Sequence, residues 1–137
     1  MSNFIYGKTK EALFNGLIDI SSNNIKLLLI DVSQYTANQN SDQFVSNIPP
    51  SAIKARSSAL QNVSNTLGII DADDVIIGSY SGAPFSAIVL YVEGFNDSNS
   101  RLIFYIDNSP GLPFTGSQSA APVTITWNNG PEKIISI

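Results

Sequence analysis

Residues 85–107 read FSAIVLYVEGFNDSNSRLIFYID, and this stretch decides the fold class. Two apolar runs, FSAIVLYVEG at 85–94 and RLIFYID at 101–107, flank a polar segment, Asn96–Ser100. The runs are rich in Ile, Val, Leu, Tyr and Phe and too short for a typical helix. The spacer is made of turn formers. Together they predict a strand, a hairpin turn and a return strand.

The same grammar extends in both directions. IKLLLIDV at 25–32 follows the turn-like Ser21-Ser22-Asn23-Asn24 and predicts a mostly buried strand. A weaker alternation over 53–63 predicts another, with a turn at Asn65-Thr66. LGII at 67–70 leads into the acidic turn Asp71-Ala72-Asp73-Asp74, followed by VIIGSY at 75–80 and a turn at 81–84. VTITW at 123–127 alternates, with Val123, Ile125 and Trp127 on one face. Asn128-Asn129-Gly130 is a tight-turn signal, so KIISI at 133–137 is expected to pair back as a closing strand. Near the N-terminus, Lys, Glu, Ala and Leu before Gly16 predict a short helix over 8–15. The fold class is therefore mainly β: an antiparallel β-sandwich or barrel-like domain with one short N-terminal helix. The 137 residues suit a single domain over 1–137, with 1–7 as an extended arm.

Composition restricts function. There is no His and no Cys, which removes His-based triads, His-ligated zinc, thiolate chemistry and disulfides. Seven basic residues are scattered over a chain of net charge −4, so no focused basic field for nucleic acid is expected. The apolar runs are too short to span a bilayer as helices. Charged residues make up 13%, against about 25% in average domains, so the surface is covered by Ser, Asn, Thr and Gly. Such a surface loses few hydrated ions when another protein covers it.

Carboxylates are the remaining candidates for chemistry. Asp71, Asp73 and Asp74 are the densest acidic group, readable as loop ligands for a cation or as a solvated turn bonding its own backbone. They lack the glycine and terminal glutamate of an EF-hand loop. A carboxylate-pair hydrolase would draw on Glu11, Glu93 or Glu132, but no motif selects a pair. The expectation is a non-enzyme with no cofactor.

The order of the segments resembles a family of small tailed-bacteriophage virion structural proteins. The matching pieces are IYGKTKEALFNGLIDISSNNIKLLLIDVSQY at 5–35, DQFVSNIP at 42–49, DADDVII at 71–77, SAIVLYVE at 86–93, SRLIFYIDNSPGLPFT at 100–115 and VTITWNNGPEKIISI at 123–137. The resemblance implies a capsid decoration (cement) protein on the surface of a virion assembled in the host cytoplasm. It implies the major capsid protein and further copies of the chain, as a trimer, for partners. A carbohydrate- or receptor-binding module of a tail fibre or baseplate is the alternative; it would set Tyr35, Tyr80 or Phe114 in a concave pocket. Contact elements expected for a cement role are the arm Phe4-Ile5-Tyr6, the loop 34–50 with Tyr35, Phe44, Pro49 and Pro50, the loop 108–122 with Leu112 and Phe114, and the terminal Ile137.

Overall fold

The computed structural model of the chain describes residues 3–18, 24–109, 112–114, 116, 121–127 and 135–136. Its elements are β1 (Phe4–Ile5), α1 (Gly7–Phe14), β2 (Ile25–Ile30), β3 (Ile53–Arg56), β4 (Ser64–Thr66), β5 (Ile69–Asp71), β6 (Val75–Tyr80), β7 (Ala87–Val92), β8 (Arg101–Ile106), β9 (Ala121–Ile125) and β10 (Ile135–Ser136). Single 3₁₀ turns at Val45–Asn47 and Pro50–Ala52 punctuate the connection from β2 to β3. The protein is mainly β, with one α-helix and antiparallel strand pairs. They form a five-stranded sheet, β1-β8-β7-β2-β3, a three-stranded sheet, β10-β5-β4, and a pair, β6-β9. Among the described residues no sheet closes into a barrel.

The central strands alternate between two cores. In β2, Ile25, Leu27 and Leu29 enter one cluster while Leu28 and Ile30 enter another. In β7, Ile88 and Leu90 join the first, and Ala87, Val89 and Tyr91 the second. Successive side chains point to opposite faces, so a strand buried on both faces must be apolar at every position. That is why IKLLLI and AIVLYV lack polar alternation. Strand β8 breaks step at Ile103: Leu90 faces Phe104, yet Tyr91 faces Leu102. This one-residue bulge keeps Ile103 in the first core and Leu102 in the second.

The two cores have different covers. The first is closed by the smaller sheets through Ile70, Val75, Tyr80 and Ile125, with Trp127 beside them. The second is closed by Tyr6 and by Tyr35, Val45, Ile48 and Ala52 from the β2–β3 connection. The loop 34–50, read from sequence as a contact arm, is thus half of a core.

The outer edge of β8 is masked in segments. β1 pairs with Phe104 and Tyr105, and the Tyr6 amide donates to the Ile103 carbonyl at 3.1 Å. Where β1 ends, the Thr9 hydroxyl donates to the Leu102 carbonyl. The Leu102 amide donates to Gln43 at 3.0 Å, and the Val45 amide to Ser100 at 2.9 Å. An edge this well bonded does not invite a foreign strand.

Several sequence expectations need correction. Residues 4–6 are no free arm: β1 is the edge strand of the main sheet. The Asn3 side-chain carbonyl fastens it by accepting the amides of Asp107 and Asn108, both at 3.0 Å. The strand over 53–63 stops at Arg56 because the Ser57 hydroxyl accepts the Leu27 amide that a continuing strand would bond. The turn lies at Leu67-Gly68, and Asn65-Thr66 belong to β4. The closing strand β10 pairs with β5, Ile135 opposite Ile70, while β9 pairs with β6. A local 123–137 hairpin is therefore replaced by two longer-range pairings. The expected turn at 128–130 lies outside the described residues.

Candidate functional site

The expected contact residues are mostly spent inside the fold. Phe4 is half-buried and stacks on Tyr105, ring centroids 4.9 Å apart, with its edge toward Tyr6 at 5.2 Å. Ile5 packs against the first core. Tyr6 is completely buried. A phenol packed and hydrogen-bonded in a core has nothing to offer a partner.

Tyr6, Tyr35 and Asp42 form a chain. The Tyr35 hydroxyl donates to Asp42 Oδ2 at 2.6 Å, and the Tyr6 hydroxyl lies 3.1 Å from the Tyr35 oxygen. Tyr35 has one proton and gives it to the carboxylate, so Tyr6 must be the donor to Tyr35. Asp42 also accepts the Asn38 amide at 2.9 Å. Burial raises the pKa of both tyrosines above the ordinary phenol range; for Tyr35, like-charge repulsion from an ionised Tyr6 and the hydrogen bond to the Asp42 carboxylate raise it further. Tyr105 is pushed up to about 12 by burial and by Asp107. The chain of hydroxyls satisfies buried polar groups and ties the β2–β3 connection onto the sheet.

Of the other expected contacts, Phe44 is half-buried under the Arg101 guanidinium, 5.1 Å from its ring centroid. Leu112 and Phe114 pack against the first core, and Phe114 stacks on Phe85 at 5.0 Å. Pro49 and Pro50 are exposed. Ile137 lies outside the described residues. Tyr35 and Tyr80, offered as members of a sugar-binding pocket, are buried, and the Tyr80 hydroxyl donates to the Ala83 carbonyl. Trp127 is buried, and its indole donates to the Asp73 carbonyl at 3.1 Å.

The acidic turn is built into the framework. Asp74 Oδ1 accepts the Trp127 amide at 2.9 Å, and Asp73 Oδ2 accepts from the Asn62 side chain at 2.6 Å. Asp71 is in β5. Among the described residues, no three carboxylates converge on a point where one cation would sit. Glu93 is paired with Lys26 at 2.9 Å.

The rim of the second face carries a second polar group. Arg56 makes a bidentate bond to Asp97, 2.9 and 2.8 Å, which lowers the Asp97 pKa and raises that of Arg56. Tyr91 is buried beside this guanidinium. Burial raises its pKa, and Arg56 opposes the rise.

What sequence reasoning missed is a set of large apolar side chains in water. Phe14, Leu67 and Phe95 are 92%, 94% and 96% exposed. Leu17 and Ile76 are also exposed. Phe14 ends α1, Leu67 is in the β4–β5 turn, and Phe95 is in the β7–β8 turn. Their signal in the sequence is an apolar residue at or near a turn glycine (Gly16, Gly68 and Gly94), where a core position is not available.

No family model matches the chain, and no curated protein is similar to it. Among the described residues, no helix is long and apolar enough to cross a membrane.

Proposed function

We propose that this chain is a structural subunit of a tailed-bacteriophage virion, a capsid decoration (cement) protein. In this reading it sits on the capsid surface, bridges neighbouring major capsid proteins and recurs as a trimer around the shell. It acts through its surfaces and is not an enzyme.

The observation that carries the reading is the trio Phe14, Leu67 and Phe95, projecting from turns and a helix end. Each forgoes about 1.5–3 kcal/mol that burial would provide. A subunit that is covered on assembly recovers it there, and large exposed apolar groups are the usual anchors of such contacts. Two further features support it. A surface with so few charges is cheap to desolvate. Carboxylates that were the remaining candidates for chemistry are held in structural bonds: Glu93 to Lys26, Asp73 to Asn62 and Asp74 to the Trp127 amide. The resemblance to small virion proteins supplies the kind of assembly.

The test is a copy count in purified virions of the phage that encodes the chain, by quantitative mass spectrometry and cryo-electron microscopy. Hundreds of copies on the shell are expected. A few copies at the tail would replace the decoration role with that of a fibre or baseplate binding module, and absence from the particle would sink both.

A further inference from the structure

Strand β4 is the outer strand of the sheet β10-β5-β4. It joins β5 through a two-residue turn, since Thr66 faces Ile69. Both turn residues have positive φ, 54° at Leu67 and 80° at Gly68, the signature of a type I′ hairpin turn. Gly68 adopts it freely. Leu67 does not: the favoured residue there is Asn or Gly, and a Cβ-bearing apolar side chain is crowded in left-handed backbone. The same leucine is 94% exposed. Two local penalties fall on one residue with no return inside the chain, and backbone strain of this kind marks sites that act on something else.

The strand beside it is open as well. Strand β1 is two residues long, and β3 carries Lys54 and Arg56, both common protections for an edge. Strand β4, Ser64-Asn65-Thr66, has no charge and no proline, and all three residues are exposed. Thr66 closes the turn and bonds toward β5. By alternation Val63 and Asn65 turn their amide and carbonyl groups outward, and so does the Leu67 amide, which lies opposite the Thr66 carbonyl in their shared peptide.

We propose that β4 pairs antiparallel with β4 of a second copy, about a twofold axis at Asn65. In that register Asn65 faces Asn65, Ser64 faces Thr66, and Leu67 faces Val63 of the second copy. Val63 is half-buried against the first core, so each Leu67 gains an apolar neighbour. A twofold edge must complement itself, and this one does: hydroxyl meets hydroxyl, amide meets amide, apolar meets apolar, and no charges are opposed. That self-match is why the occupant is another copy. The contact shares Leu67 with the virion reading but is tested apart from it, and it is a twofold contact between copies, distinct from the threefold recurrence proposed on the shell.

The chain has no cysteine, so Asn65→Cys places a single thiol on the axis. Directly opposed residues in such a pair have Cα atoms about 5.5 Å apart, within disulfide reach. Under mild oxidation the full-length Asn65→Cys chain is expected to give a disulfide dimer of twice the 14.7 kDa chain mass. Ile76→Cys, at an exposed site on β6, is expected to remain monomeric on the reducing-agent-free gel. In light scattering the wild type is expected as a dimer, and Leu67→Asn, which suits the turn, should weaken it roughly a hundredfold while staying folded. Equal cross-linking at positions 65 and 76, or a wild type that stays monomeric at every concentration, overturns the twofold contact. A monomer that is nonetheless abundant on virions would overturn only this contact and leave the decoration role standing.

Discussion

The two faces of the central sheet solve the same problem with different materials. On the first, the side chains of Leu27, Leu29, Ile88 and Leu90 meet other strands, and the contact is apolar almost throughout. On the second, Leu28, Val89 and Leu102 meet a connection that is mostly polar and contributes Tyr35, Val45, Ile48 and Ala52 to the core, with Ala37 packed against it. Four of the five tyrosines, Tyr6, Tyr35, Tyr91 and Tyr105, belong to this second face; only Tyr80 belongs to the first. A loop offers fewer apolar groups than a sheet, and a tyrosine supplies area together with a hydroxyl that can bond the loop's own polar atoms. The first face is held mainly by area, with its directed bonds kept to Tyr80 and Trp127 at the border, and the second by area plus a chain of hydroxyl bonds through its cover.

The sharpest way to break this comparison is to remove one leucine from each side. Leu27 and Leu28 are adjacent in β2 and both wholly buried, but they point to opposite faces. Each change to alanine is expected to cost about 2–5 kcal/mol in urea unfolding. Equal costs mean that the loop packs as densely as the sheets. A Leu28→Ala cost below about 1 kcal/mol would show the second cover to be loosely docked.

Alkaline titration separates the faces next. The folded-state pKa values of Tyr6 and Tyr35 are raised by burial, so the neutral phenols are the form that folding favours. Their contribution is complete below the unfolded value of about 10 and is lost as pH rises above it. Each tyrosine that ionises only on unfolding adds a slope of about 1.4 kcal/mol per pH unit. Stability measured from pH 9 to 12 should therefore fall steeply, and Tyr6→Phe with Tyr35→Phe should flatten the curve. An unchanged slope would mean that these phenols do not control it.

Asp42→Ala tests the directed bonds themselves. It leaves the buried Tyr35 hydroxyl without its acceptor and the Asn38 amide without its cap. The expected loss is about 1–3 kcal/mol. Hydrogen exchange should accelerate at Val45 and Leu102, whose amides bond across the loop–β8 seam, and not at Leu27. Uniform acceleration would argue that loop and sheet open as one unit.

The contrast also explains what was legible in the sequence. The central strands were readable because burial on both faces forces near-continuous apolar runs, as in LLLI at 27–30 and AIVLYV at 87–92. Trp127 was readable because its cover is a sheet, and sheets impose a period of two on Val123, Ile125 and Trp127. The second cover has no period. Tyr35, Val45, Ile48 and Ala52 are spaced 10, 3 and 4 residues apart on an irregular path, so no core pattern showed and the segment 34–50 read as a contact loop. Tyr6 failed for the same reason: two residues of β1 are too few to show alternation. The pairing of β10 with β5 lay beyond local rules, because Asn-Gly suggests a nearby partner and cannot report one more than sixty residues upstream. Leu67 and Phe95 passed unnoticed because turn residues such as Gly68, Asn96 and Asp97 dominate their surroundings.

The smallest expected effect lies at the rim of the second face. Arg56 and Asp97 join β3 to the β7–β8 turn, and the Ser46 amide donates to the Asp97 carbonyl from the covering loop. The Asp97 carboxyl is held below its usual range by the Arg56 bond, so its contribution is present above the unfolded value of about 3.9 and lost as pH falls through the folded one. Both side chains are substantially exposed, at 39% and 48%, so solvent screens the pair and Asp97→Asn should cost less than about 1 kcal/mol at neutral pH. The difference from wild type should shrink with added salt, and again as pH falls through the folded value and the wild-type carboxylate is protonated as well. If Asp97→Asn instead costs nothing at neutral pH, the work of Asp97 lies in its backbone bond to Ser46, which the substitution leaves in place, and the second face is fastened at its rim by the loop's main chain, with the ion pair adding nothing.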